Sequence, residues 1–153
     1  MGANGQGGLA LKGWIVAGLG TLMLLSLATA CGGSDEGGAD EEDLILELVE
    51  QNGSGQSGTA TLTPAEAGST RIVVDLKSPP AEPQPAHVHS GTCDDIGDVF
   101  APLDSLTEGR SESTVMLSLD ELQRGGLIVH AHRSEAEFDV SVACAPIPEA
   151  LSP

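Results

Sequence analysis

The stretch "STRIVVDLK", Ser69 to Lys77, decides the fold class of this chain. Large apolar side chains occupy every second position in it, at Ile72, Val74 and Leu76. In an extended chain successive side chains point to opposite faces, so strict alternation is typical of a strand with one buried face. The stretch therefore predicts a β-strand at the edge of an apolar core.

Similar short runs flank this strand on both sides, separated by clusters of Gly, Pro, Ser and Asp. They are "DLILELVE", "GTATLTP", "AHVH", "DVFAPL", "STVMLSL", "LIVHAHR" and "FDVSVAC". Seven or eight short strands in about a hundred residues predict an antiparallel sandwich or barrel. One helical turn is expected at "SLDELQRGG", where Ser118 and Glu121 have capping-box spacing and Gly125 ends the helix. We assign this all-β domain to residues 43–148 and a tail to residues 149–153.

The first 30 residues have the composition of an export signal. Lys12 is the only charged side chain before an apolar run that ends in "LATAC" at Cys31, which predicts a secretory signal peptide over residues 1–30. A retained spanning helix is the alternative. The sequence "SLATACGGSDEGG" resembles a bacterial lipoprotein signal. That resemblance implies a lipid on Cys31 and attachment to the outer side of the cytoplasmic membrane or in the periplasm, and simple secretion after ordinary cleavage is the alternative.

Residues 31–42 are rich in glycine and acid and lack large apolar side chains, which predicts a tether between the membrane and the domain. The whole chain carries a formal net charge of -17 with only six Lys and Arg residues. Nucleic acid binding requires clustered basic side chains, so this composition excludes it. The expected partners are a membrane, through the N-terminal lipid, and a metal ion.

All four histidines of the chain fall in two His-x-His pairs, one of His87 with His89 and one of His130 with His132. Residues i and i+2 of a strand share a face, so each pair can present two imidazoles to one ion. Imidazole suits copper, zinc or nickel better than calcium or magnesium. The pattern predicts a metal site formed by these four histidines, whereas histidines on a solvated strand face are the alternative.

The order "AHVHSGTC", "GGLIVHAH" and "SVACAPIP" resembles the copper,zinc superoxide dismutase superfamily and its relatives, the bacterial chordin-type (CHRD) domains. The resemblance implies an antiparallel Greek-key β-sandwich. It also implies that His87, His89 and His130 bind copper and that Cys93 and Cys144 form a disulfide. An even pair of cysteines in an oxidising compartment favours the same bond, and two free thiols are the alternative.

The chain also departs from the dismutase pattern. No histidine occurs between Cys93 and Val129, so the zinc ligands and the bridging histidine are missing, and His132 is an extra donor. Ser141 stands where the family has an arginine that guides superoxide. Three functions stay open, and no catalytic residue is assigned. They are a lipid-anchored protein that binds copper or alternatively zinc, a divergent copper-only dismutase, and a non-catalytic chordin-type interaction domain.

Overall fold

The computed structural model describes residues 42–151, and they form an antiparallel β structure with one short helix. The signal peptide, Cys31 and all of the tether except Glu42 lie outside the described residues. The strands are β1 (Leu44–Glu50), β2 (Gly58–Ala65), β3 (Ser69–Leu76), β4 (Ala86–Gly91), β5 (Ile96–Pro102), β6 (Arg110–Val115), β7 (Leu127–His132) and β8 (Ser141–Ile147). A 3-10 turn, Glu66–Gly68, joins β2 to β3, and the helix α1 covers Leu119–Leu122.

The strands are hydrogen-bonded in the order β5-β4-β7-β8-β1-β2-β3-β6, and every neighbouring pair is antiparallel. The pairing between β8 and β1 is short, with only Val49 opposite Cys144 and Glu50 opposite Ala143. The strands therefore form two groups, β5-β4-β7-β8 and β1-β2-β3-β6, joined at this point. The connections β3–β4, β5–β6 and β6–β7 pass between the groups, which is Greek-key connectivity.

The two groups share one apolar core. Leu62 and Ile72 from one group belong to the same buried cluster as Val88 and Val129 from the other. The curled sheet thus packs on itself as a β-sandwich, and the predicted fold class is confirmed. The core contains Leu, Ile, Val and Ala, whereas Phe100 and Phe138 are 50% and 39% exposed. Both phenylalanine side chains therefore lie outside the apolar core.

The predicted capping box is present at α1. The Ser118 hydroxyl accepts a hydrogen bond from the Glu121 backbone amide, and the Glu121 carboxylate accepts one from the Ser118 backbone amide. Gly125 and Gly126 follow with φ of 99° and 69°, a conformation that glycine adopts without steric cost. Across residues 42–151, no helix has the length and apolar character needed to span a membrane.

Three details of strand pairing bear on the site. Register shifts interrupt the β4–β5 ladder on both sides of His89, and another lies between Ala131 and His132 in the β7–β8 ladder. The sequence predicts that a strand begins at Phe138, in the run "FDVSVAC". In the structure this strand, β8, begins only at Ser141. Phe138 lies instead in a turn closed by hydrogen bonds, including one from the Val140 amide to the Glu137 carbonyl, 3.1 Å.

Candidate metal centre

The two His-x-His pairs lie side by side on neighbouring strands. β4 pairs with β7 so that the Cα atoms of His87 and His130 are directly opposite. The alternate residues Ala86, Val88, Val129 and Ala131 point into the core. The four histidines therefore occupy the outer face of the same two neighbouring strands, an adjacency that the sequence alone left open.

Three of the four imidazoles bring their ring nitrogens together. One nitrogen from each of His87, His89 and His132 lies within 4.8 Å of the others. His130 is outside this group, although its ring centroid is 4.4 Å from that of His132 and 5.2 Å from that of His89. His89, His130 and His132 are buried, and His87 is half-buried. The arrangement is thus a trio of potential ligands with a fourth imidazole against it.

Backbone carbonyls fix the proton positions of two members of the trio. His89 Nδ1 lies 3.0 Å from the Gly97 carbonyl, and His132 Nδ1 lies 2.5 Å from the Phe138 carbonyl. A carbonyl oxygen only accepts hydrogen bonds, so both Nδ1 atoms carry the proton and both Nε2 atoms carry a lone pair. This is how histidine ligands of metal ions are commonly oriented.

The lone pairs on Nε2 of His89 and His132 are placed so that both could bind one metal ion. His89 Nε2 is buried and has no hydrogen-bond partner among the described residues. His132 Nε2 lies 3.0 Å from His87 Nδ1, so in the metal-free protein His87 donates a hydrogen bond to it. Nitrogens that share one zinc ion at about 2.0–2.1 Å are themselves roughly 3 Å apart. A buried lone pair without a partner costs free energy, and a metal ion would satisfy it.

His130 has different contacts. Its Nε2 is hydrogen-bonded to the Ser141 hydroxyl, and its Nδ1 is buried without a partner among the described residues. Ser141 is the residue that stands where the dismutase pattern has an arginine. The contact with Ser141 has no simple sequence signal, because it depends on the register between β7 and β8. The contacts with the Gly97 and Phe138 carbonyls have no sequence signal for a different reason, because any residue type can supply a backbone carbonyl.

Burial keeps the imidazoles of His87, His130 and His132 neutral. Desolvation, followed by repulsion from the neighbouring imidazoles, lowers the pKa of His130 to about 3. Desolvation also lowers the pKa of His132 to about 4, against the raising effects of the Phe138 carbonyl and Asp139. The pKa of His87 is lowered by desolvation and by His89, against Glu135. These three imidazoles are therefore unprotonated at neutral pH, as a metal ligand must be.

A disulfide lies on the same face as the imidazoles. Cys93 and Cys144 are bonded, with their Cα atoms 5.8 Å apart, which confirms the expected pairing. Cys144 is the register partner of His130, and Cys93 lies in the connection between β4 and β5. The bond thus attaches the segment between β4 and β5 to β8. Gly97 follows this segment, and its carbonyl contacts His89 Nδ1. The predicted lipid site, Cys31, is outside the described residues.

The fold of this chain is a superoxide dismutase-like β-sandwich. Similar solved structures are forms of superoxide dismutase 5 from Candida albicans. One mutant form has a TM-score of 0.54 and 24% identity over 72% of this chain and 94% of that one. The Cu(II) form has a TM-score of 0.54 and 23% identity over 68% and 89%. A further mutant form has a TM-score of 0.51 and 21% identity.

No family model matches the chain, and no curated protein sequence matches it. At identities below 25%, the structural likeness establishes the fold. The activity therefore has to be argued from the site.

Proposed function

We propose that this chain is an extracytoplasmic, lipid-anchored protein that binds one copper ion through its histidine cluster and stores or delivers it at the cell envelope. The observation that carries the proposal is the trio of His87, His89 and His132, with the His89 Nε2 lone pair buried and unpartnered within the described residues. Imidazole suits copper and zinc, and a similar Candida structure is a Cu(II) form, which supports copper. Zinc is the alternative ion.

The charge of the chain favours a cation as the cargo. Its formal net charge is -17, and Glu135 and Asp139 are close enough to His87 and His132 to raise the pKa values of those imidazoles. Such a field attracts copper and repels the superoxide anion. At the position of the family's guiding arginine, Ser141 contacts His130 instead. Storage of copper is therefore favoured over rapid dismutation.

A divergent copper-only dismutase is the second candidate, and the likeness of the fold to superoxide dismutase 5 favours it. A chordin-type interaction domain is the third. The third candidate requires no metal and would leave the buried His89 Nε2 without a partner. Measurements of metal stoichiometry and of dismutase turnover on the same sample separate the three.

The location outside the cytoplasm has separate support. Disulfides persist in oxidising compartments, and the Cys93–Cys144 bond fits that setting. The export signal over residues 1–30 and the tether over residues 31–42 belong to the same proposal. Attachment would place the copper site close to the membrane.

Titration of the metal-free protein with Cu(II) tests the function. Calorimetry and EPR should show one copper ion per chain with nitrogen ligands, and His89→Gln should abolish tight binding because it removes the unpartnered Nε2. Ser90→Ala, next to His89 on the other face of β4, is the control and should bind as the wild type does. Binding by His89→Gln at wild-type strength would exclude the trio as the site. Strong dismutase turnover would favour the second candidate.

A further inference from the structure

The turn between β7 and β8, residues 133–140, is held against the histidine cluster. The Arg133 amide donates to the Val140 carbonyl at 2.9 Å, which closes the base of the turn. The Glu137 amide donates to the Ser134 hydroxyl at 3.2 Å, and Arg133 and Glu137 form an exposed ion pair at 3.5 Å. The turn thus has a defined shape and presents the residue after Glu137 to the site.

That residue is Phe138, which contacts the cluster in two ways. Its carbonyl accepts the hydrogen bond from His132 Nδ1, and its ring stacks on the His132 ring with centroids 4.0 Å apart and an interplanar angle of 16°. The Phe138 ring is also 5.4 Å from the His87 ring. Two members of the ligand trio are therefore covered by one aromatic side chain.

The same ring borders the solvent. Phe138 is 39% exposed, and His87 is the one histidine of the four that is not buried. Solvent therefore meets the cluster at His87, beside the Phe138 ring. A copper ion that leaves, or a small ligand that enters, would have to pass at this point.

We propose that Phe138 is the cover of the metal site and sets the rate at which copper is exchanged with solvent ligands. The inference rests on the proposed function and specifies its regulation. Metal sites that hold an ion for structural purposes are closed, whereas catalytic sites keep an open position. By stacking on His132 and bordering His87, the Phe138 ring would exclude water and small anions from such a position. With the Phe138 ring in place, the site is suited to retention of copper. Removal of the ring would open a position for an added ligand.

Phe138→Ala tests the cover without loss of the backbone carbonyl that orients His132. The copper-loaded full chain is mixed with excess EDTA, and the loss of Cu(II) absorption is followed with time. We expect Phe138→Ala to lose copper about tenfold faster than the wild type, a factor that corresponds to about 1.4 kcal/mol in the barrier. Azide should perturb the Cu(II) EPR spectrum of the variant and leave that of the wild type unchanged.

Phe100→Ala is the matched control, because Phe100 is the other phenylalanine of the chain and lies half-exposed on β5. It should release copper at the wild-type rate. Phe138→Gln, which retains a long side chain but no ring, should behave as Phe138→Ala does and provides a second variant if the first is unstable. Wild-type release rates in both Phe138 variants would overturn the cover while leaving copper binding intact. A wild type that binds no copper would overturn both proposals.

Discussion

Two neighbouring imidazoles, His130 and His132, differ in what holds their nitrogens. His132 is oriented by the Phe138 carbonyl and directs Nε2 into the trio, whereas Nε2 of His130 is occupied by the Ser141 hydroxyl. The resemblance to dismutases implied that His130 is the ligand. In the structure, the nitrogen that lies near those of His87 and His89 belongs to His132, a histidine that the dismutase pattern lacks.

We therefore expect His132→Gln to weaken copper binding more than His130→Gln does. Loss of a group that only supports the ligands typically costs about 10–100-fold in metal affinity, and we expect His130→Gln to fall in that range. Competition titrations with a chelator of known affinity would measure both variants. The reverse order of affinities would return His130 to the ligand set and leave His132 as its support.

The disulfide attaches the connection between β4 and β5 to β8 and contributes to the stability of the domain. The bond between Cys93 and Cys144 closes a loop with a sequence separation of 51 residues, for which the chain-entropy model gives about 4 kcal/mol of stability. The double variant Cys93→Ser/Cys144→Ser should therefore unfold at a clearly lower urea concentration than the wild type. Addition of a reductant should lower the wild-type midpoint and leave that of the variant unchanged. Equal midpoints for the oxidised wild type and the variant would refute this contribution.

The strands could be predicted from sequence more reliably than the turns between them. Alternation of Ile72, Val74 and Leu76 identifies β3 because burial of one face leaves a period of two in the sequence. The predicted start of β8 at Phe138 is wrong. The run "FDVSVAC" alternates as a strand does, but its first residue lies in a turn. What places Phe138 is a set of local hydrogen bonds within residues 132–140, and these leave no periodic pattern in the sequence. The pairing of β4 with β7 likewise required the resemblance or the structure.

At the scale of the whole molecule, the buried imidazoles make stability depend on pH. His130 and His132 have pKa values of about 3 and about 4 in the folded protein, below the ordinary value of 6.5. Below pH 6.5 the unfolded chain binds protons that the folded protein does not, so the free energy of unfolding falls as the pH falls toward 4 and is unaffected above 6.5. Urea unfolding of the metal-free protein at several pH values would measure this fall.

Carboxylates also titrate in part of this window, so a variant is needed to isolate the imidazoles. His132→Gln should show a shallower loss of stability between pH 6.5 and 4, because one depressed imidazole is gone. Identical pH profiles for the wild type and the variant would mean that His132 has an ordinary pKa in the folded state.

In the proposed lipid-anchored form, the location of the molecule would depend on Cys31, which precedes the described residues. Cys31→Ser should release the protein from the membrane fraction or leave the proposed signal peptide uncleaved, because the variant lacks the thiol that we propose receives the lipid. Fractionation and intact mass measure both results. A wild type that is soluble and carries no lipid mass would replace the anchor with simple secretion.

Within residues 42–151 the strands at the two ends of the sheet are β5 and β6, and each has features that disfavour addition of another chain. Register shifts break the regular ladder along β5, which ends at Pro102, a residue without a backbone N–H to offer. The outward face of β6 bears Arg110 and Glu112, whose charges disfavour a flat, apolar contact. The proposed anchor would concentrate molecules on a membrane, where they meet one another often. Irregular and charged edge strands would then disfavour their joining into fibrils.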